Sequence, residues 1–264
     1  MDEEYGPSTY GDRVADVYDE WYLQPDHPYL GDVADTVSFL KELAGDGSAL
    51  ELGIGTGRVA LPLRDAGVRV HGIDASEAMA AKLAEKPGGN AIPVTIGSFA
   101  DFALDARFRL IFVVFNTFFG LESQEEQVSS FRAIERHLTE DGVFVMEAFV
   151  PDPTRFDRGQ RVGAVRVETD VVQLDVTVND ALTQHSTSQH VVIREDGIRL
   201  IPVRIRYAFV PELDLMAQLA GLRLRERWAG WKREPFGAGA TKHVSVWERS
   251  TGPHPLAAVL QHRE

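Results

Sequence analysis

The stretch Ala49-Leu50-Glu51-Leu52-Gly53-Ile54-Gly55-Thr56-Gly57-Arg58 decides the fold: an apolar run contains an acid and is followed by glycines at every second position. A second short apolar run, residues 68–74, ends in Asp74. Glycines after a strand let the backbone turn sharply and approach a ligand, because no Cβ stands in the way. An acid at the end of the next strand can hold both hydroxyls of a ribose. A strand, a glycine turn and a helix, followed by a strand that ends in an acidic residue, together predict a nucleoside-binding half-site.

Two classes of cofactor compete for this half-site. A dinucleotide fold requires G-x-G-x-x-G, whose last glycine allows close packing of the helix, but that position is Arg58. The pattern is instead E-x-G-x-G-x-G, in which Glu51 is followed by Gly53, Gly55 and Gly57. This spacing resembles motif I of the class I S-adenosylmethionine-dependent methyltransferases. The resemblance implies that no pyrophosphate is cradled and that the charge of Glu51 suits the ammonium and sulfonium side of the cofactor.

Length and composition describe an ordinary globular protein. The 264 residues fit one α/β domain with an insertion, or two small domains. The chain has no cysteine, which excludes a disulfide scaffold and a thiolate zinc site and fits a reducing cytoplasm. The acidic opening, residues 1–4, argues against a signal peptide, and no apolar run approaches the roughly 20 residues of a membrane span. We therefore expect a cytoplasmic protein with no membrane partner and no metal.

The charge balance disfavours nucleic acid as a partner. The net charge is −13, from 27 basic and 40 acidic residues, and the pI is ≈ 5.1. Nucleic-acid binding needs concentrated Lys and Arg that displace counterions. We therefore expect a small-molecule acceptor, and a neutral or cationic one fits most easily.

The N-terminal region is rich in tyrosine. Residues 10–22 carry apolar and aromatic side chains at helical spacing and predict one helix. This helix either packs on the core or, as we favour, forms a lid over the cofactor with Tyr18 and Tyr22 turned inward. A second helix is predicted over residues 29–43.

Strand and helix then alternate, which is typical of a parallel sheet. Strands are predicted at 49–52, 68–74, 92–96, 110–115 and 143–148. One helix is predicted to begin near residue 57, a second to follow Ser76 as its N-cap, and a third to span 122–138. Ligands of such sheets bind at the carboxyl ends of the strands. The residues that one crevice could collect there are Gly53, Asp74, Ser98, Asn116 and Glu147.

Residues 155–210 break this alternation. Apolar residues at strand spacing, turn residues between them and the lack of a helical period predict an antiparallel β insertion. A helix that begins at Pro211 and a hairpin of 222–228 and 242–247 complete the core. The predicted division is a helical lid (1–47), a cofactor-binding α/β core (48–154), the insertion (155–210), a C-terminal helix and hairpin (211–249) and a tail (250–264). Exposed edges of the insertion sheet could pair two subunits into a homodimer.

The order of elements resembles the class I methyltransferases over residues 10–249. The tyrosine-rich segment and the β insertion are similar to those of N-methyltransferases of antibiotic amino-sugar pathways, in which they cover the cofactor and the substrate. The resemblance implies a Rossmann-like sheet and S-adenosylmethionine as cofactor. It also implies that Asp74 holds the ribose hydroxyls, and that Ser98 replaces an acid that often binds the adenine amino group. The implied cofactor-binding residues are Tyr18, Glu51, Gly53, Gly55, Gly57, Arg58, Asp74, Ala75, Met79, Ser98, Phe99 and Asn116.

Methyl transfer from a sulfonium is an in-line displacement, which requires the acceptor atom about 3–3.5 Å from the methyl carbon. A neutral amine needs no strong base, whereas a hydroxyl usually does. The candidate bases are Glu147, for which a structural carboxylate is the alternative, and His190, for which a solvated strand histidine is the alternative. Aromatic residues that follow strand ends, or lie in the lid or in loops, are predicted to line the acceptor pocket: Tyr22, Phe118, Phe119, Phe149 and Trp231.

These patterns together predict an S-adenosylmethionine-dependent methyltransferase that acts on a small, secondary-metabolite-like acceptor. N-methylation is favoured over O- or C-methylation. Asn116 is followed by Thr117 rather than by the P-P pair that marks nucleobase amino methylation. Two alternatives stay open: an NAD(P)-dependent oxidoreductase and a non-catalytic cofactor-binding protein.

Overall fold

The protein is built from two β-sheets and the helices that pack against them. The computed structural model describes residues 5–22 and 33–251. The strands are β1 (Ser48–Leu52), β2 (Arg69–Asp74), β3 (Val94–Ile96), β4 (Phe108–Val113), β5 (Leu138–Phe149), β6 (Gln160–Val167), β7 (Val171–Asp180), β8 (His185–Arg194), β9 (Gly197–Arg206), β10 (Leu222–Trp228) and β11 (Lys242–Arg249).

The larger sheet has seven strands in the order β10-β11-β5-β4-β1-β2-β3. Strands β1 to β5 run parallel, β11 lies antiparallel to β5, and β10 lies antiparallel to β11. The chain order reverses between β1 and β4, and ligands of such sheets bind at this reversal, at the carboxyl ends of the strands. The predicted Rossmann-like sheet and its C-terminal hairpin are confirmed.

Helices cover both faces of this sheet. They are α1 (Thr9–Val14), α2 (Tyr18–Tyr22), α3 (Val33–Ala44), α4 (Ala60–Asp65), α5 (Glu77–Glu85), α6 (Gln124–His137) and α7 (Val210–Leu219). One core joins α6 and α7 to one face, and a second core joins α3 and α4 to the other. The central strands are apolar on both sides because both faces are covered, as is usual for parallel sheets.

The N-terminal prediction needs a correction. Residues 10–22 form two short helices rather than one, with a turn between Val14 and Tyr18. The break brings Val14 and Trp21 into one buried cluster, so packing overrides the helical period. The predicted start of the second helix (29–32), the acidic opening (1–4) and most of the tail (252–264) lie outside the described residues. Within the described ranges, no helix is long and apolar enough to span a bilayer.

Two further boundaries differ from the sequence prediction. The helix after the glycine turn begins at Ala60 rather than near Gly57. Strand β4 ends at Val113, because Phe115 and Asn116 take left-handed conformations with φ of +56° and +65° and lead into a short 3₁₀ turn. The predicted N-cap is confirmed: Ser76 Oγ accepts a hydrogen bond from Met79 N at 3.1 Å.

The predicted insertion forms the second sheet, an antiparallel meander in the order β6-β7-β8-β9. We call its inner face the side that packs on α1 and α2, where Ile201 is fully buried, and its outer face the opposite side. Arg206, at the end of β9, anchors the sheet to the core. Its guanidinium is buried and donates to Gln127 on α6 at 2.6 Å, to Gln184 at 3.1 Å and to Glu212 on α7 at 2.7 Å.

Candidate cofactor and acceptor site

Three glycines of the turn after β1 adopt conformations that side chains rarely allow. Gly53, Gly55 and Gly57 have φ of +70°, +55° and +80°. A Cβ at Gly53 would lie 2.3 Å from Cγ2 of Thr117, far inside van der Waals contact. A Cβ at Gly55 would meet only Cε of Met79, at 3.4 Å, so the turn has open space on that side. A ligand can therefore approach the backbone at Gly55 directly.

Asp74, at the end of β2, holds this turn in place. Its Oδ2 accepts a hydrogen bond from Gly55 N at 2.7 Å, and its Oδ1 accepts one from Ser76 N at 2.9 Å. Burial raises the pKa of Asp74, and the two N–H donors oppose that shift. Each carboxylate oxygen keeps a further lone pair, so Asp74 can accept from ribose hydroxyls while it shapes the glycine turn.

Glu51, on β1, is the buried acid of the motif. Its side chain is 2% exposed, and its Oε2 has no hydrogen-bond partner among the described residues. Burial raises the pKa of Glu51 to about 8, against the opposing effect of the Arg58 charge. A buried carboxyl oxygen without a partner is unfavourable, so a cationic ligand beside it would be stabilised.

The N-terminal helices are tied to the glycine turn and to the start of α5. Oδ1 of Asp19 accepts a hydrogen bond from Thr56 Oγ1 at 2.6 Å, and Oδ1 of Asp12 accepts one from Ser76 Oγ at 2.6 Å. Thr56 lies between two glycines of the turn, and Ser76 follows Asp74 by two residues. The helices therefore close directly on the half-site.

The same helices are tied to the insertion sheet. Arg199 of β9 pairs with Asp16 at 2.6 Å, and Arg194 of β8 pairs with Glu20 at 2.9 Å. These are exposed ion pairs, each worth little by itself. They place the N-terminal segment between the glycine turn and the inner face of the insertion.

An aromatic wall stands beside the turn. The rings of Tyr18 and Tyr22 are 4.7 Å apart, and Tyr22 meets Phe115 edge-on at 5.4 Å. The Arg58 guanidinium lies 5.1 Å from the Phe115 centroid and hydrogen-bonds the Tyr18 hydroxyl. Tyr10 donates to the Tyr22 hydroxyl at 3.3 Å, and burial raises the pKa of Tyr22 to about 12, so these phenols stay neutral at pH 7.

The remaining predicted cofactor residues surround the same strand ends. Met79 is buried next to Gly55, and Ala75 is half-buried after Asp74. Phe99 lies near Gly53, and Ser98 Oγ accepts a hydrogen bond from Ala100 N at 3.1 Å.

Asn116 joins the ends of two strands. Its Oδ1 accepts a hydrogen bond from Phe149 N at 2.7 Å, and its backbone N donates to Glu147 O at 3.3 Å. Direct contact of Asn116, Ser98, Phe99, Ala75 and Met79 with a cofactor stays a prediction.

Glu147 is held by three donors. Its Oε2 accepts from Phe115 N at 3.2 Å, and its Oε1 accepts from Trp231 Nε1 at 3.1 Å and from Lys242 Nζ at 3.3 Å. Trp231 was expected in a loop as a wall of the acceptor pocket. It is 7% exposed and packs edge-on against Phe39 at 5.5 Å, on the α3 side of the sheet. Trp231 does lie in the loop between β10 and β11, where its indole supports Glu147, and its role as a wall of the acceptor pocket stays a prediction.

Phe118 and Phe119, which follow β4, were predicted to line the acceptor pocket. Both are fully buried in the core beneath α6, because the left-handed turn at Phe115 and Asn116 directs the following 3₁₀ turn inward. Contact of Phe118 and Phe119 with an acceptor stays a prediction. Phe149, by contrast, lines a cleft of about 170 Å³ between the loop after β5 and the inner face of the insertion.

His190 points from the inner face of the insertion toward the aromatic wall. Its Nδ1 is 2.5 Å from Oδ1 of Asp175 on β7, and its ring lies 6.5 Å from that of Tyr10. The His190 side chain is 19% exposed, so part of the side chain stays accessible. An Nδ1–H donated to Asp175 leaves Nε2 as a proton acceptor.

Three residues of this site were not predicted: Asp175, Tyr10 and Phe115. The pairing of Asp175 with His190 follows from the β7–β8 register, which a single sequence does not specify. Tyr10 opens the tyrosine-rich segment, and its spacing to Tyr22 was the available signal. The described residues contain no group of three or more His, Cys, Asp and Glu side chains that could hold a metal ion.

Comparison with known proteins identifies the kind of site. Residues 49–142 match the family described as "Methyltransferase domain". The chain is 31% identical, over 92% of its length and 98% of the relative's, to the cypemycin N-terminal methyltransferase of a Streptomyces species. It superposes with a TM-score of 0.87 and 41% identity on the CcbJ methyltransferase of Streptomyces caelestis, covering 94% of this chain and 100% of that one. The S-adenosylmethionine-bound amino pentose methyltransferase CalS10 of Micromonospora echinaspora has the same fold, with a TM-score of 0.68, 22% identity and coverage of 89% and 97%.

The geometry fits the cofactor of this family. The open space at Gly55 lets a ligand approach the backbone. The carboxylate of Asp74 can accept from a ribose, and the unpartnered oxygen of Glu51 can stabilise a cationic group. The family match and the methyltransferase relatives do not favour the alternatives of a dinucleotide oxidoreductase and a non-catalytic protein. The chain belongs to the class I S-adenosylmethionine-dependent methyltransferases, and it is an enzyme of the secondary-metabolite type.

Proposed function

We propose that the enzyme methylates an amine nitrogen of a small, secondary-metabolite-like acceptor bound between the aromatic wall and the inner face of the insertion. The observation that carries this proposal is the His190–Asp175 pair on the inner face of the insertion, whose imidazole lies 6.5 Å from the Tyr10 ring. The name of the cypemycin relative, an N-terminal methyltransferase, supports an amine acceptor.

The pair suits an amine because amines are mostly protonated at neutral pH and must lose a proton before they react. Nε2 of His190 accepts that proton, while Asp175 fixes the ring and stabilises the charged imidazolium. The bound cofactor supplies a methyl group made electrophilic by its sulfonium. Tyr18, Tyr22 and Phe115 exclude water and present ring faces that stabilise cationic groups.

Glu147 has a positioning role in this proposal. Both of its oxygens accept hydrogen bonds from Phe115, Trp231 and Lys242, which leaves it poorly suited to remove a proton. It fixes Phe115 and, through it, the end of the aromatic wall. Of the two candidate bases in the sequence, we therefore propose His190.

Two measurements test the proposed function. Calorimetry should show binding of S-adenosylmethionine and S-adenosylhomocysteine but not of NAD. A screen with methyl-labelled cofactor should then find label on acceptors with a free amine. Transfer to matched acceptors that carry only a hydroxyl, with none to amines, would overturn N-methylation while leaving the methyltransferase activity intact.

Replacing His190 with asparagine should lower kcat at pH 7 by about 100-fold, the lower end for a lost general base. Asparagine keeps a donor to Asp175 but has no equivalent of Nε2. The loss should shrink near pH 9, where more of the amine is already neutral, and the cofactor Kd should not change.

The matched control for this variant is His185→Gln. His185 lies on the same strand, and its Nε2 contacts Glu122 O at 2.8 Å, outside the acceptor space. Its kcat should stay near wild type at both pH values. An equal loss in His190→Asn at pH 7 and pH 9 would assign His190 to positioning instead of proton transfer.

A further inference from the structure

The inner face of the insertion is apolar where it packs on the N-terminal helices and polar where it borders the cleft at the loop after β5. Val171, Val192 and Ile201 form the apolar part. On β9, Val203 and Ile205 extend it. The polar part lies on β7 and β8, and the side chains that it contributes to the cleft are Thr177, Asn179, Ser186 and Ser188. All four are neutral, so they can hydrogen-bond a ligand without repelling an anion.

Arg161, on β6, brings a positive charge to this cleft. It lies opposite Thr177 in the sheet and lines the cleft with it. Its guanidinium lies over Gly163, where a Cβ would be 3.6 Å from Nη2 and 3.8 Å from Nε. Over the ranges 5–22 and 33–251, no carboxylate pairs with this guanidinium. Arg161 is therefore an unpaired cation in a chain whose net charge is −13.

The acid that borders the cleft does not neutralise Arg161. Asp152 is the one acid among the described residues that line the cleft. It accepts hydrogen bonds from Thr154 N at 3.0 Å and from the Thr154 hydroxyl at 2.5 Å, and the hydroxyl lowers its pKa. The nearby charge of Arg155 also lowers the pKa of Asp152 and offsets its charge. The cleft therefore keeps the positive charge of Arg161.

The Arg161 guanidinium lies over the same cross-strand row as the proposed base. Gly163 is opposite Asp175, and Asp175 is opposite His190. Two strand spacings, about 10 Å, therefore separate Gly163 from His190. A second cavity, of about 90 Å³, shares Arg161 and Thr177 with the cleft and extends to Asp175. The open space at Arg161 thus reaches the acid that holds His190.

We infer that Arg161 binds a carboxylate of the acceptor and so selects amines that carry this group about 10 Å from the nitrogen that is methylated. The inference rests on the proposed function, because it takes the amine to lie at His190. A guanidinium matches a carboxylate with two parallel N–H donors, and hydrogen bonds between charged groups are stronger than neutral ones. Such an acceptor is zwitterionic without a net charge, which agrees with the neutral acceptor that the acidic composition favours.

Two compounds that differ in one charge test the inference. 8-Aminooctanoate and its amide have a chain long enough to span two strand spacings, about 10 Å. Calorimetry on the enzyme saturated with S-adenosylhomocysteine should show that the wild type binds the acid at least tenfold more tightly than the amide. Arg161→Gln should bind both compounds with the affinity that the wild type has for the amide.

Two further variants act as controls. Arg161→Lys keeps the charge but not the pair of parallel donors, so it should retain part of the preference for the acid. Arg225→Gln removes an exposed arginine on β10, outside the cleft, and should retain all of it. Equal affinities of the wild type for the acid and the amide, or binding of neither compound, would overturn the inference.

Turnover separates acceptor binding from a structural role of Arg161. In assays with methyl-labelled cofactor, Arg161→Gln should raise the KM for 8-aminooctanoate at least tenfold, with little change in kcat and none in the KM for the amide. A loss of kcat on both compounds would instead assign Arg161 to the support of Asp175 and contradict the inference. If the wild type methylates 8-hydroxyoctanoate but not 8-aminooctanoate, and Arg161→Gln raises that KM, the proposed N-methylation fails while the carboxylate site stands.

Discussion

Asp74→Ala is expected to weaken S-adenosylmethionine binding by at least tenfold, or about 1.4 kcal/mol. The alanine removes the acceptor of the Gly55 and Ser76 amides, so the glycine turn loses its anchor. It also leaves two ribose hydroxyls without their acceptor, and unpaired buried polar groups are costly. Titration calorimetry with S-adenosylmethionine and S-adenosylhomocysteine measures the loss.

Two further variants separate the causes. Asp74→Asn keeps one acceptor oxygen and should retain part of the affinity. Asp101 is an exposed acid in the loop after β3, and it pairs with Arg136 on α6. The variant Asp101→Ala should bind S-adenosylmethionine with the affinity of the wild type. Unchanged affinity in Asp74→Ala would remove Asp74 from the cofactor site.

Glu51→Gln is expected to stabilise the cofactor-free protein at alkaline pH. The pKa of Glu51 is about 8 in the folded protein, above its usual value of 4.5, so the folded state binds one more proton than the unfolded state between these pH values. The free energy of unfolding therefore falls as pH rises from about 4.5 to about 8, by on the order of 5 kcal/mol. Glutamine removes this dependence.

Urea unfolding near pH 5 and pH 8.5 measures the effect. The variant should match the wild type at the lower pH and exceed it by a few kcal/mol at the higher pH. The control is Glu195→Gln, which removes an exposed acidic side chain in the turn between β8 and β9. It shows the effect on stability of losing one acidic group that is not buried. The same Glu51 variant should bind S-adenosylmethionine about tenfold more weakly, because the attraction for a cation is lost. A constant stability difference across pH would show that Glu51 ionises freely.

Local chemistry in the sequence was sufficient for the cofactor half of the molecule. The glycine turn, the acid Asp74 and the cap at Ser76 each follow from backbone preferences that a short segment determines. The helix with Pro211 in its first turn and the antiparallel hairpin after it were predicted for the same reason. These elements surround the half-site, so its position was predictable as well.

The acceptor half depends on tertiary packing, which a single sequence does not show. Phe118 follows the end of β4 and Phe149 is the last residue of β5, yet Phe118 is buried in the core and Phe149 lines the cleft. The difference arises from Phe115 and Asn116, which both adopt left-handed backbone conformations. Neither residue is a glycine, so the sequence does not signal this turn. Likewise, Asp175 meets His190 only through strand register.

The acids of the N-terminal segment contact both sides of the candidate site. Asp12 and Asp19 hold the cofactor side, whereas Asp16 and Glu20 hold the insertion, so one short segment fastens both compartments. A movement of this segment away from the core therefore breaks contacts with the glycine turn, with the start of α5 and with the insertion sheet at once.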